Sequence, residues 1–177
     1  MARVAHGDRR AIQLLFERYQ LVVYRFVLRL VDNSATAEDI VNEVFLALWR
    51  HAADFEGRAR LSTWILAIAR NKAVSAMRGR IDQPLEDGMV EAIPDQAATA
   101  EATLEASERS AVLRTCLARL SPTHREIVDL VYYHEKSVEE VSVILGVPAA
   151  TVKTRMFYAR RRLAEHLRAA GLETLQS

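Results

Sequence analysis

Cys116 is the only cysteine among 177 residues. A lone thiol excludes an internal disulfide framework and has no partner at metal-binding spacing. It fits a small buried apolar residue in a reducing, cytoplasmic setting. No run of about eighteen apolar residues occurs, so no membrane-spanning helix and no stable membrane insertion are expected. The opening "MARVAHGDRR" lacks the apolar core of a secretory signal. Alternating strand patterns, internal repeats and low-complexity tracts are missing too. Carboxylates and histidines fail to cluster: Glu38–Asp39 and Glu139–Glu140 sit where helix starts explain them, and the five histidines are scattered. That leaves no constellation for a nuclease or metalloenzyme, so no catalytic residue, metal or cofactor is expected.

Half of the chain is hydrophobic, and its apolar residues recur at helical spacing almost throughout, which predicts an all-α fold. The net charge of +1 hides a partition: residues 1–80 carry +5, residues 81–110 carry −7, and residues 111–177 carry +3. The middle, "IDQPLEDGMVEAIPDQAATAEAT", scatters acids among Pro84, Gly88 and Pro94 and reads as a linker. Helix is expected to resume near residues 99–101, because Leu104, Val112, Leu113, Leu117 and Leu120 return to one side. The expected layout is an N-terminal helical bundle in 1–80, an acidic linker in 81–110 and a helix-turn-helix module in 111–177.

In the last module, Ser121 before Pro122 is a cap followed by proline at the first helical position. Ile127, Val128, Val131 and Tyr132 form the expected buried side of that helix. Ser137 and Glu140 have the spacing of a capping box ahead of Val141, Ile144 and Leu145. Gly146 can take the left-handed conformation that ends a helix. A helix, a glycine turn and another helix make a helix-turn-helix. On the last helix Val152, Met156, Ala159, Leu163 and Leu167 step along one inward stripe. Lys153, Arg155, Tyr158 and Arg160 then point outward, with Thr154 and Phe157 at the border. Such a face fits a DNA major groove, where cations bond guanine edges and neutralise phosphates. A solvated basic helix would carry the same charge, and the capped helix and glycine turn ahead of it favour DNA.

In the first module, residues 11–31 form an amphipathic helix with Phe16, Tyr19, Tyr24 and Phe26 as core aromatics. In "TAEDIVNEVFLALWRHAADF", Thr36 is the expected cap. Ile40, Val44 and Leu48 make one apolar stripe, and Val41, Phe45 and Trp49 make another beside it. Asp39, Asn42, Glu43, Leu46 and Arg50 lie on the remainder. So wide an apolar surface suits either a partner interface or the central helix of a bundle. Gly57 then marks a loop carrying Arg58 and Arg60. Ser62 or Thr63 is the expected cap of a helix in which Trp64, Ile65, Ile68 and Ala69 pack inward. Asn71, Ser75 and Arg78 share its outer face, flanked by Arg70 and Lys72. That face suits unstacked single-stranded bases, and equally a solvated surface.

Together these segments resemble a bacterial sigma factor of the extracytoplasmic-function (ECF) group. "AEDIVNEVFLALWRHAADFEG" is similar to the family's polymerase-binding helix. "STWILAIARNKAVSAMR" is similar to its minus-ten helix, and "LSPTHREIVDLVYYHEKSVEEVSVILGVPAATVKTRMFYARRRL" to its minus-thirty-five module. The resemblance implies that Asp39, Asn42, Glu43, Leu46, Trp49 and Arg50 serve core RNA polymerase. It implies that Leu61, Asn71, Lys72, Ser75 and Arg78, with the Gly57 loop, hold melted minus-ten DNA. It implies that Lys153, Thr154, Arg155, Phe157, Tyr158 and Arg160 approach double-stranded minus-thirty-five DNA. An anti-sigma partner is implied as well. Asn42 stands where relatives often carry glutamine, Leu61 where some carry an aromatic, and Tyr158 where many carry a base. The rival reading is a free-standing helix-turn-helix regulator.

Overall fold

The computed structural model describes residues 1–81 and 110–171. The expected linker lies almost wholly outside the described residues, as does the expected restart of helix near residues 99–101. Among the described residues all regular structure is helical and there is no strand. The chain divides into two compact units. One contains Met1–Val90 with Lys136–Val147, and the other Glu91–Glu135 with Pro148–Ser177. The segment 136–147, expected with the C-terminal module, thus packs with the N-terminal helices.

In the first unit α1 (Ala2–Ala5) sets Val4 into the core beside a 3-10 turn at Ala52–Asp54. Helix α2 (Arg9–Val31) is capped by Asp8, whose carboxylate accepts from the N–H groups of Arg10 and Ala11 at 2.9 and 3.0 Å. The Ala11 bond foremost, then the Arg3 guanidinium, holds the Asp8 carboxyl below its usual value. Helix α3 (Ser34–Arg50) starts earlier than Thr36 would allow, because Asn33 is its cap: Asn33 Oδ1 accepts from the Thr36 N–H at 2.8 Å. Helix α4 (Leu61–Ile81) completes a three-way packing of α2, α3 and α4. Val23, Phe26, Val27, Val44, Leu48, Ile65 and Leu66 fill its interior. Truncating one large aliphatic side chain in such a core costs about 2–5 kcal/mol.

Neither Ser62 nor Thr63 caps α4. The Arg60 carbonyl accepts from the N–H groups of Thr63 and Trp64 at 3.0 and 3.1 Å. The two hydroxyls instead serve tertiary contacts with the segment around α7 (Val138–Leu145). The fully buried Thr63 donates to Glu140 Oε1 at 2.7 Å, and Ser62 accepts from Lys136 Nζ at 2.6 Å. The other Glu140 oxygen closes the expected capping box, accepting from the Ser137 N–H at 3.0 Å. Burial pushes the Glu140 carboxyl up. The Ser137 and Thr63 bonds, with the charges of Lys136 and Arg60, outweigh burial and leave it below its usual value. Burial, helped by Arg60, lowers the Lys136 ammonium against the pull of Glu140. Gly146 ends α7 at φ 64°, the left-handed geometry its place in the sequence requires.

In the second unit residues 110–118 are helical (α5), and Cys116 is buried as a free thiol. Helix α6 (Pro122–Val128) is capped as expected, with Ser121 Oγ accepting from the His124 N–H at 3.3 Å. It runs into one π-helical turn, Asp129–Tyr133, closed by the His134 N–H donating to the Asp129 carbonyl at 3.2 Å. The wider turn shifts the phase of everything after it. Asp129 and Leu130 are buried, Val131 is half-buried, and Tyr132 is 55% exposed, so the expected burial of Val131 and Tyr132 fails. Helix α8 (Ala149–Ala169) packs on α6 through Leu120, Val128, Ala159, Leu117 and Leu163. Its inward stripe is buried at Val152, Met156 and Ala159 and half-buried at Leu163 and Leu167.

Candidate functional site

Helix α3 borders two concave surfaces. On one, Asn42, Leu46 and Trp49 join Phe45 and Ile12 of α2 around a groove of about 490 Å3. The spacing of 42, 45, 46 and 49 keeps these four on one side of the helix. Phe45 is nearly buried and meets Phe16 edge-on, with ring centroids 4.8 Å apart. Leu46, in contrast, is 54% exposed. Exposing a leucine beside a half-buried tryptophan leaves apolar area that a partner can cover. Asp39, Glu43 and Arg50 are exposed on the same helix but do not line this groove.

On the other flank, Ala47 and His51 face α4 across an open cleft of about 510 Å3. Trp64, Ile68, Asn71, Lys72 and Ser75 form the α4 wall, and Asp54 closes one end. Asn71, Lys72 and Ser75 are therefore brought together as expected. Leu61 is half-buried in the first turn, and Arg78 is exposed one turn beyond Ser75; neither lines the cleft. Trp64 and Ile68, expected inside, are only partly buried, and Leu66 takes the interior place. Phe55 supports the indole, with ring centroids 5.1 Å apart. His51, Asp54, Trp64 and Ile68 were not identified as site residues from sequence. A signal existed for two of them, since 64, 68, 71 and 75 lie on one stripe of a helix.

The cleft pairs its charges internally. Lys72 Nζ lies 2.9 Å from Glu43 Oε2, and His51 Nδ1 lies 3.0 Å from Asp54 Oδ2. Arg58, in the loop that precedes α4, pairs with Glu56. Polar side chains beside an indole, in a cleft whose lysine is already partly balanced by Glu43, suit a strand that offers flat bases along with its phosphates.

The outer face of α8 is different. Lys153, Thr154, Phe157, Tyr158 and Arg160 are exposed, and Arg155 is half-buried. Phe157, placed at the border by its sequence position, is 63% exposed and meets Tyr158 edge-on at 5.5 Å. The Thr154 hydroxyl donates to the Ala150 carbonyl at 3.0 Å, so its hydrogen serves the helix. Arg161 and Arg162 both bond Glu165, at 3.3 and 3.0 Å. Burial tends to raise the Glu165 carboxyl, but these two guanidinium groups carry it below its usual value. Arg160 has a neutral partner: its Nε donates to the Tyr132 hydroxyl at 3.0 Å.

Among the described residues no group of His, Cys, Asp and Glu could hold a metal ion, and no helix is long and apolar enough to cross a membrane.

Comparisons with known proteins fall on the same two regions. The family model Sigma-70 region 2 matches residues 15–80, and Sigma-70, region 4 matches residues 110–163. The chain is similar to the ECF RNA polymerase sigma factor SigL of Mycobacterium tuberculosis, with 30% identity over 177 residues, covering 97% of this chain and 99% of the relative. It is similar at 28% identity to the ECF RNA polymerase sigma factor SigK of Mycobacterium bovis, covering 92% and 89%. Among solved structures, the sigma factor RpoE in complex with the anti-sigma factor NepR from Bartonella quintana matches with a TM-score of 0.71 and 25% identity, over 88% of this chain and 96% of that one. The fold also matches CnrH in complex with the cytosolic domain of CnrY, with a TM-score of 0.67 and 23% identity, over 95% and 94%.

Proposed function

The chain belongs to the extracytoplasmic-function group of RNA polymerase sigma factors, and from that premise we propose how its surfaces divide the work. As such a factor it binds core RNA polymerase and directs transcription initiation from specific promoters. We assign the α2–α3 groove to core polymerase, with Leu46 and Trp49 as apolar anchors and Asn42 beside them. Asp39, Glu43 and Arg50 form the charged surround. The α3–α4 cleft takes the melted minus-ten strand: bases lie against Trp64, and Asn71 and Ser75 offer hydrogen bonds. Lys72 meets a phosphate, and Leu61 and Arg78 act at the two ends. The outer face of α8 enters the major groove at the minus-thirty-five element with Lys153, Arg155, Phe157 and Tyr158.

One observation carries this division. Helix α3 lines both the apolar groove and the polar cleft, so a partner seated on one flank would sit against the wall of the other. Holding polymerase and holding the opened strand then become one act. Neither DNA contact need be tight alone, because tethering on polymerase raises the effective concentration of each. The role needs no catalysis by this chain, and we place it in the cytoplasm with its polymerase. The structural relative RpoE is bound by an anti-sigma factor, and we extend a partner of that class to this chain.

Purified chain mixed with core polymerase tests the reading. The expected result is a stoichiometric complex that makes RNA from duplex promoter templates. A protein that binds promoter DNA by itself, ignores core polymerase and starts no RNA would be the free-standing regulator instead.

A further inference from the structure

We infer that Tyr132 is a positioning residue for promoter binding: it holds the Arg160 guanidinium in place to meet a DNA phosphate. The inference rests on the assignment of α8 to the minus-thirty-five element and extends it to a side chain on another helix.

Tyr132 lies in the π-helical turn Asp129–Tyr133, closed by the His134–Asp129 bond, and there Asp129 and Leu130 are buried while Tyr132 stands 55% exposed. There its hydroxyl accepts from Arg160 Nε at 3.0 Å, with the guanidinium carbon at the hydroxyl end of the ring, 5.8 Å from its centroid. The hydrogen bond is the contact that holds the group. An arginine held at Nε keeps its two terminal nitrogens for a phosphate.

The partner's chemistry matters. Arg161 and Arg162, next in sequence, meet the Glu165 carboxylate, which offsets their charge. A phenol orients Arg160 without cancelling its positive charge. A flexible arginine forfeits rotamer entropy when it binds, and an arginine already held by a hydrogen bond forfeits less.

Placement along α8 selects phosphate over base. Arg160 follows the first residue, Ala149, by about 16 Å along the axis at 1.5 Å per residue. The major groove is only about 12 Å wide. Residues near the helix start reach the base edges, and Arg160 falls where the groove wall carries the backbone.

The test measures binding of the reconstituted holoenzyme to a promoter duplex over a range of salt concentrations. The chains compared are wild type, Tyr132→Leu, Tyr132→Phe, Arg160→Ala and the Tyr132→Leu/Arg160→Ala double variant. Arg160→Ala is expected to flatten the dependence of log affinity on log salt by about one unit. Tyr132→Leu should weaken binding about threefold to tenfold and move that slope toward the Arg160→Ala value. Tyr132→Phe, which keeps the ring but removes the accepting hydroxyl, should lose about as much as Tyr132→Leu. In the double variant the tyrosine change should add nothing. Wild-type affinity and slope in Tyr132→Leu would overturn the inference alone. So would an equal loss with and without Arg160, which would mean that the tyrosine contacts DNA or supports the fold by itself. Wild-type behaviour of Arg160→Ala would remove Arg160 from the DNA surface and overturn the inference, while the assignment of α8 would fall only if Arg155→Ala also bound the duplex like wild type.

Discussion

The α3–α4 cleft is concave and pairs its lysine with a nearby carboxylate, whereas the outer face of α8 is convex and sends most of its long side chains into solvent. Lys72 rests against Glu43 and His51 against Asp54. Lys153 and Arg160 stand exposed on a single helix. Under the proposed assignment, the difference matches the two forms of DNA. A duplex is a regular polyanion with a groove as wide as a helix, so one helix with outward cations is complementary to it. A melted strand has no groove to enter. Its bases must be caught singly against a flat ring and a few polar groups, which requires walls.

Leu46→Asp offers the hardest challenge to this contrast. It places a charge in the apolar groove and should weaken core polymerase binding by roughly 2 kcal/mol, about thirtyfold. Circular dichroism should be unchanged because Leu46 is already 54% exposed. Wild-type affinity would detach the groove from polymerase.

Arg155→Ala comes next. Losing one arginine contact to the major groove should lower transcription at a cognate promoter about tenfold, a loss of about 1.4 kcal/mol. Core binding, titrated separately, should stay the same. Undiminished transcription would take Arg155 off the reading face.

Ser121→Ala sharpens the comparison from the side of stability. It removes the cap of α6 and should destabilise the second unit by about 1 kcal/mol. Thermal melts should show it, with core polymerase binding retained; a loss of core binding would tie the two surfaces together more closely than the account allows.

The smallest effect is on pH dependence. The Glu140 carboxyl lies below its ordinary 4.5. The charged form therefore stabilises the fold above that pH, and the contribution disappears as pH falls through the lowered value. Glu140→Gln should be less stable than wild type at neutral pH, and the gap should close in acid. A gap that persists unchanged at low pH would assign the effect to shape and not to charge.

How much of this was legible beforehand depended on whether the signal was local. Ser121, Ser137, Glu140 and Gly146 act on backbone groups within four residues, and each was found where the sequence put it. Tertiary choices were less readable. Two adjacent stripes of α4 are both apolar, and periodicity does not say that Leu66 goes inside while Trp64 and Ile68 line a cleft. Ser62 and Thr63 look like caps until their hydroxyls are seen bonding Lys136 and Glu140, more than seventy residues away. Tyr132, expected inside from a 3.6-residue period, is 55% exposed within a π turn that such a period does not foresee. On α8 the inward stripe fixed the outward face, so Lys153, Tyr158 and Arg160 are exposed as expected, while Arg155 is half-buried and Phe157 more exposed than its border position suggests.

The central claim is that one surface reads duplex and the other an opened strand. Holoenzymes carrying Asn71→Ala and Arg155→Ala, assayed for binding to a promoter fragment reduced to its single-stranded minus-ten element, test it most directly. The account predicts that Asn71→Ala loses affinity there while Arg155→Ala binds like wild type, with the order reversed on a duplex minus-thirty-five fragment. Equal losses for both variants on both fragments would contradict it.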